Sequence, residues 1–168
     1  MKTTARRRRW GWLLIVWNIQ CLEKWLRAMM NGPEVGSRGR YRLWRQDMGV
    51  VAFASVELAI EDLVAGPSQV RWSVERGDRS SAQPENDPVE VEAASRGVRE
   101  VIDRLGRNRA ELVGGLVVGV TKLEINLADT EPTAVQAAAA AATADLFGVL
   151  DRVEVVYEAG WRCRWLSE

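Results

Sequence analysis

Between positions 133 and 150 the chain is dominated by alanine, and this run constrains the fold more than any other feature. Alanine is the best helix former because it loses no side-chain freedom. Asp129 and Thr130, just before the run, are residue types that cap a helix, and Pro132 is tolerated in a first turn. Upstream, Thr121-Lys122-Leu123-Glu124-Ile125-Asn126-Leu127 alternates apolar and polar residues, placing Leu123, Ile125 and Leu127 on one face of a strand. Downstream, Val153, Val155 and Tyr157 alternate again, so the order strand, helix, strand follows. Side chains this small let the helix approach a sheet or a second helix closely. Gln136, Thr143 and Asp145 make it too polar, and its apolar run too short, to span a membrane.

The rest of the chain supplies partners for that unit. Val91, Ala94, Val98, Val101, Ile102 and Leu105 trace a helical stripe that ends before Gly106. The stretch 41–45 fits a half-exposed edge strand with its arginines outward, and Val70, Trp72 and Val74 alternate as a short strand. In 161–165, Trp161, Cys163 and Trp165 fall on one face, which fits core, with Arg162 and Arg164 on the other. Residues 77–88 hold too little apolar surface to bury and are expected to form a flexible loop. The segment 47–65 fits two descriptions. Val50, Phe53, Ile60 and Val64 suit a helix closed by Gly66-Pro67, whereas Val50, Val51, Phe53, Val56 and Ile60 suit a strand with a bulge; the helix is preferred. The expected fold is therefore α+β: a small mixed or antiparallel sheet from 41–45, 70–75, 112–127, 153–157 and 161–165, covered by helices at 50–64, 91–105 and 133–150. A length of 168 residues suits one such domain over 32–168, preceded by a helix over 1–31.

The chemistry open to the chain is narrow. It contains no histidine, which removes Ser-His-Asp and Cys-His catalysis, histidine metal sites and the usual base at neutral pH. Cys21 and Cys163 stand far apart and outside any zinc spacing, which fits a reducing compartment. Gly114, Gly115 and Gly119 are not followed by Gly-Lys-Ser or Gly-Lys-Thr, so they point to a buried strand with a bulge or a close backbone approach. Glu57 and Glu61 would lie one turn apart on a helix, a pairing that without histidine reads as a solvated face. No catalytic, cofactor-binding or metal-ligating residue is assigned, a small-molecule substrate is not expected, and a conventional enzyme is not expected.

Charge is what remains, and it is unevenly placed. Residues 1–46 hold eleven basic and two acidic residues, a net +9 that leaves −9 for the remainder of a neutral chain. Arg6, Arg7, Arg8 and Arg9 precede a charge-free run of thirteen residues, 10–22, which as a helix would extend roughly 20 Å, short of the ~30 Å hydrocarbon core. Trp10, Leu13, Leu14, Trp17 and Trp25 follow helical spacing, Trp12 adds another indole, and Asn31-Gly32-Pro33 stops the helix. Tryptophans and arginines favour the headgroup zone, so 1–31 reads as an anchor or interfacial helix at an anionic membrane surface; the alternatives are packing on the domain or on a partner subunit, and a cleavable secretory signal, for which Arg27-Ala28-Met29-Met30 is a poor cleavage site. A second basic patch, Arg38, Arg40, Arg42 and Arg45, is interleaved with Tyr41 and Trp44, a pattern that pairs with lipid or nucleic-acid phosphates. The expected role is a non-enzymatic scaffold or interaction module, membrane-associated at the cytoplasmic face or in the cytoplasm, with a protein partner; nucleic-acid binding through the Arg/Trp-rich region is the alternative.

The order of a hydrophobic N-terminal helix, a basic strand, a helix over 93–105, and Lys122-Leu123-Glu124-Ile125-Asn126-Leu127-Ala128-Asp129 running into a small-residue helix resembles an uncharacterised bacterial family of small membrane-anchored proteins, a domain of unknown function. The resemblance implies an anchored layout and no activity.

Overall fold

Two long antiparallel strands begin the part of the chain that the structure, a computed structural model, describes: residues 33–47, 49–108, 114–126 and 130–166. The expected helix at 1–31, with Arg6 to Arg9 and its tryptophans, lies outside the described residues. The elements are β1 (Arg38–Asp47), β2 (Val50–Leu63), β3 (Gln69–Trp72), α1 (Pro88–Asn108), β4 (Leu116–Ile125), α2 (Pro132–Leu146), a 3-10 turn (Leu150–Arg152), β5 (Val153–Tyr157) and β6 (Trp161–Trp165). The architecture is α+β.

Four strands form one mixed sheet in the order β1-β2-β4-β3. β1 with β2 and β2 with β4 are antiparallel, while β3 runs parallel to β4, which requires the α1 crossover between them. β5 and β6 form a separate two-stranded sheet, so the single sheet expected from sequence is two.

The expected helix at 50–64 is a strand, and among the described residues two α-helices cover the sheet instead of three. Ala52, Ala54, Val56, Leu58 and Ile60 alternate at no more than 1% exposure beneath the helices, and β1 and β4 pair with both edges of β2. Tertiary pairing decides here over a pattern that suits either structure. Of the glycines expected to mark a bulge or close approach, Gly115 and Gly119 do so. The β2–β4 ladder shifts register between Glu57 and Leu58 and between Ile60 and Asp62. A Cβ on Gly119 would meet the Glu61 carboxylate, and Gly115, at φ 71°, abuts the Val64 carbonyl.

The alanine helix does what its small side chains permit. α2 packs on α1, β1 and β2 at once, with 137–142 buried throughout. Two glycines on its neighbours complete the fit: a Cβ on Gly97 of α1 would run into the Gln136 carbonyl and stand 3.0 Å from the Ala139 Cβ, and one on Gly39 of β1 would collide with Ala142 and Leu146. Such contact brings backbones together at core density, so stability rests on fit more than on the area of any single side chain. On another side of α2 the β5–β6 hairpin inserts Val155, Trp161 and Cys163 into the core, and the Trp161 N–H donates to Thr133 Oγ1 at 3.2 Å.

Residues 77–87 are turns and bends held by hydrogen bonds, and Pro88 begins α1. Asp78 accepts from Ser80 N–H, Ser80 Oγ and Ser81 Oγ, bonds that hold its carboxyl below the ordinary range. Ala82 is buried and its N–H donates to the Leu123 carbonyl at 2.8 Å.

Candidate interaction face of the sheet

Both helices lie on one side of the four-stranded sheet; the opposite side has no helix over it among the described residues. Alternation decides what that side carries. In β2 the even-numbered residues face the helices, so Phe53, Ser55, Glu57, Ala59 and Glu61 face away. Register then carries the assignment to the neighbours. Opposite Ala59, Glu57, Ser55 and Phe53 stand Arg38, Arg40, Arg42 and Trp44 of β1, and opposite Glu57 and Ser55 stand Lys122 and Glu124 of β4.

Three arginines thus project from alternate positions of one edge strand, about 7 Å apart at the strand's rise of ~3.4 Å per residue. At the end of this row the Arg42 guanidinium lies over two rings, 5.0 Å from the Trp44 centroid and 5.3 Å from that of Phe53. The rings meet edge to face at 5.8 Å and 89°. Trp44 keeps 68% of its surface exposed.

Electrostatics separates the two halves of the face. On β2, β3 and β4 the charges cancel locally: Arg71 pairs with Glu61 at 3.6 Å, and Lys122 with Glu124 at 2.7 Å. The hydrogen bond to Glu124, then its charge, pushes the Lys122 ammonium's pKa up. Gly119, lacking a side chain, leaves room for the Glu61 carboxylate beside it. Along β1, by contrast, Arg38, Arg40 and Arg42 form no ion pair among the described residues. The row is therefore a cationic edge without ion pairs among the described residues, with Glu57 across from Arg40 as its nearest register-matched carboxylate, on a body whose sequence is acidic overall.

Of the basic patch expected from sequence, the structure brings together Arg38, Arg40 and Arg42 and sets Arg45 apart. Arg45 has the parity of Leu43, and its guanidinium donates to the Val155 carbonyl at 2.8 Å, tying β1 to β5. Phe53 is the member that sequence reasoning left out, since only the β1–β2 register shows that it faces Trp44. Glu57 and Glu61 share this face as strand residues, not as one turn of a helix. Among the described residues no group of three or more His, Cys, Asp or Glu is placed to hold a metal ion, and no helix is long and apolar enough to cross a membrane.

No family model matches the chain, and no curated protein is similar to it. A solved structure, the crystal structure of ttk003000868 from Thermus thermophilus, is similar over 67% of this chain at 19% identity with a TM-score of 0.50. The chain covers 16% of that protein's length. At this identity the likeness concerns the fold alone.

Cys163, the other reactive group of the described residues, is sequestered. Burial, then the negative charge of Glu100, pushes its thiol up to about 12. Native protein at pH 8 is expected to resist iodoacetamide and to be alkylated only once unfolded, which mass spectrometry of the Cys163 peptide reads directly. Stability depends on pH accordingly. An unfolded thiol ionises near pH ~8.5 while the folded one stays protonated, so this contribution is present below that pH and is lost as pH rises toward 12.

Proposed function

We propose that this chain is a non-enzymatic interaction module that binds single-stranded nucleic acid through the helix-free face of its sheet. The observation that carries the reading is the co-facial row Arg38, Arg40, Arg42, Trp44 and Phe53, its guanidiniums in no ion pair among the described residues. Regularly spaced guanidiniums suit a phosphate backbone, and an exposed indole offers a stacking surface that accepts any base. Backbone charge and base stacking are then met by neighbouring groups on one rigid sheet. A duplex hides its base faces, so it can use the arginines and not Trp44. Fluorescence anisotropy with a labelled single-stranded oligonucleotide tests this. Affinity is expected to fall steeply with added salt, to exceed that for the matching duplex, and to drop by about 1–3 kcal/mol on Trp44→Ala. No rise in anisotropy with any oligonucleotide at low salt removes the reading.

A second reading, association with an anionic membrane surface, is favoured by the sequence of residues 1–31. Arg6, Arg7, Arg8 and Arg9 would contact lipid phosphates, each contributing about 1 kcal/mol, while Trp10, Trp12, Leu13, Leu14, Trp17 and Trp25 bury apolar area below the headgroups. The anchored layout implied by the family resemblance agrees with it. Full-length protein is expected to float with liposomes containing phosphatidylserine, and protein lacking 1–31 is expected to stay at the bottom of the gradient. Equal flotation of both removes the tether.

A further inference from the structure

β6 has one bonded edge and one bare edge. It pairs only with β5 among the described strands. In an antiparallel pair the backbone groups of alternate residues point at the partner and those between point away. Leu166 N–H donates to the Arg152 carbonyl and Glu158 N–H to that of Gly160, so the even-numbered residues bond across the hairpin. The backbone groups of Trp161, Cys163 and Trp165 therefore point outward. Thr133 takes the first of these N–H groups; those of Cys163 and Trp165 have no partner among the described residues.

That bare edge borders a cleft of about 460 Å³, with all five residues of β6 along one wall. Glu100 and Arg104 of α1 form the opposite wall, and Thr133 and Gln136 of α2, on which both α1 and β6 pack, lie between. A second orphan sits at the same place. The Trp161 side chain is only 3% exposed, and its indole Nε1–H has no acceptor among the described residues. A buried donor without a partner is costly.

We propose that the free edge of β6 is the docking site for an extended segment of a partner protein, acidic at alternate positions, which adds to the hairpin as a third strand. Repeating N–H and C=O groups along five residues match another backbone and not a compact small molecule. Charge selects its side chains. Arg164 is committed to Glu154 at 3.0 Å and Glu158 at 3.1 Å. Glu100, which accepts from the neutral Gln136 amide at 3.2 Å, keeps its negative charge on the cleft side, so the acidic side chains of the segment must lie on the outward side of β6, beside Arg162, with apolar ones toward the cleft. Arg162 and Arg104 have no carboxylate partner among the described residues; Arg104 instead lies over the Trp165 ring at 4.8 Å. A strand laid along β6 places alternate side chains beside Arg162, where opposite charges directly across strands are favoured. This site is on other elements than the Arg38 row and does not depend on the nucleic-acid reading.

The test uses isotope-labelled full-length protein and three probes: the blocked hexapeptide Glu-Val-Glu-Val-Glu-Val, the lysine counterpart, and the acidic peptide N-methylated at alternate residues. The acidic peptide is expected to slow amide exchange at Cys163 and Trp165 at least tenfold. The lysine and N-methylated peptides are expected to leave it unchanged. The double variant Arg104→Glu, Arg162→Glu, with an unchanged melting temperature, is expected to lose acidic-peptide affinity at least tenfold. Equal binding of the N-methylated peptide, no binding of the acidic one at millimolar concentration, or binding that leaves those two amides unprotected overturns the proposal. So does concentration-dependent self-association that already protects them in the absence of peptide, since a second copy would then occupy the edge.

Discussion

Simultaneous Arg38→Ala, Arg40→Ala and Arg42→Ala is expected to weaken single-stranded nucleic-acid binding about a hundredfold while lowering the melting temperature by only about 2–4 °C, the cost of the Arg42 contacts with Trp44 and Phe53. The three guanidiniums are exposed and form no ion pair within the described protein, so their removal leaves no buried charge behind. Each exposed contact to a phosphate is worth about 1 kcal/mol in screened solvent, and three together amount to about 3 kcal/mol, roughly a factor of 100. Salt supplies a second readout. Losing three phosphate contacts lowers the slope of log affinity against log salt by about 2. Arg45→Ala is the internal control. Its guanidinium is bonded to the Val155 carbonyl, so it should disturb the link between β1 and β5 and leave the salt slope unchanged. Anisotropy titrations at three salt concentrations read both quantities. An unchanged slope in the triple variant contradicts the role assigned to β1.

Much of this arrangement is legible in the residues, and the failures have physical causes. Alternation in 121–125, the stripe from Val91 to Leu105, the alanine run and the 153–165 hairpin each carry one clear period, and each forms the expected element. Val50–Leu63 does not carry one period. As a central strand it has apolar residues on both faces, Val51, Phe53 and Ala59 opposite Ala52, Ala54, Val56 and Leu58, and this blurs the twofold repeat into something a helix also satisfies. The arginine row is readable because alternation is local. Its pairing with Phe53 is not, because strand register is set by contacts between distant residues. The cleft beside β6 is illegible for a similar reason: it is a gap between α1 and β6 created by their separate packing on α2.

Gly97→Val is expected to be the most damaging conservative change in the domain. In the middle of a helix glycine costs about 0.5–1 kcal/mol relative to alanine, so its presence at a buried position of α1 needs a reason. The reason is the crossing with α2. A side chain at 97 would drive into the Gln136 carbonyl and the Ala139 and Ala140 positions, and backbone cannot rotate away as a flexible side chain would. Valine forces the helices apart, and α2 cannot shift freely because Gly39 of β1 holds it just as closely on another side. A loss of about 3 kcal/mol is expected, a fall of roughly 10 °C in melting temperature. Arg96→Ala, on the exposed side of the same helix, should stay within about 0.5 kcal/mol. Thermal denaturation followed by circular dichroism gives both values. A Gly97→Val protein as stable as the parent would mean that α1 and α2 do not cross as described.

The central claim is that the helix-free face, and not some other part of the chain, meets nucleic acid. A proton-nitrogen correlation spectrum of the full-length protein, titrated with an unlabelled single-stranded oligonucleotide, tests it most directly. The account predicts progressive shifts at the amides of 38–44 and 53–59 and at the Trp44 indole, with α1, α2 and β6 unmoved. Shifts confined to residues 1–31, or to the helices and β6, would contradict it.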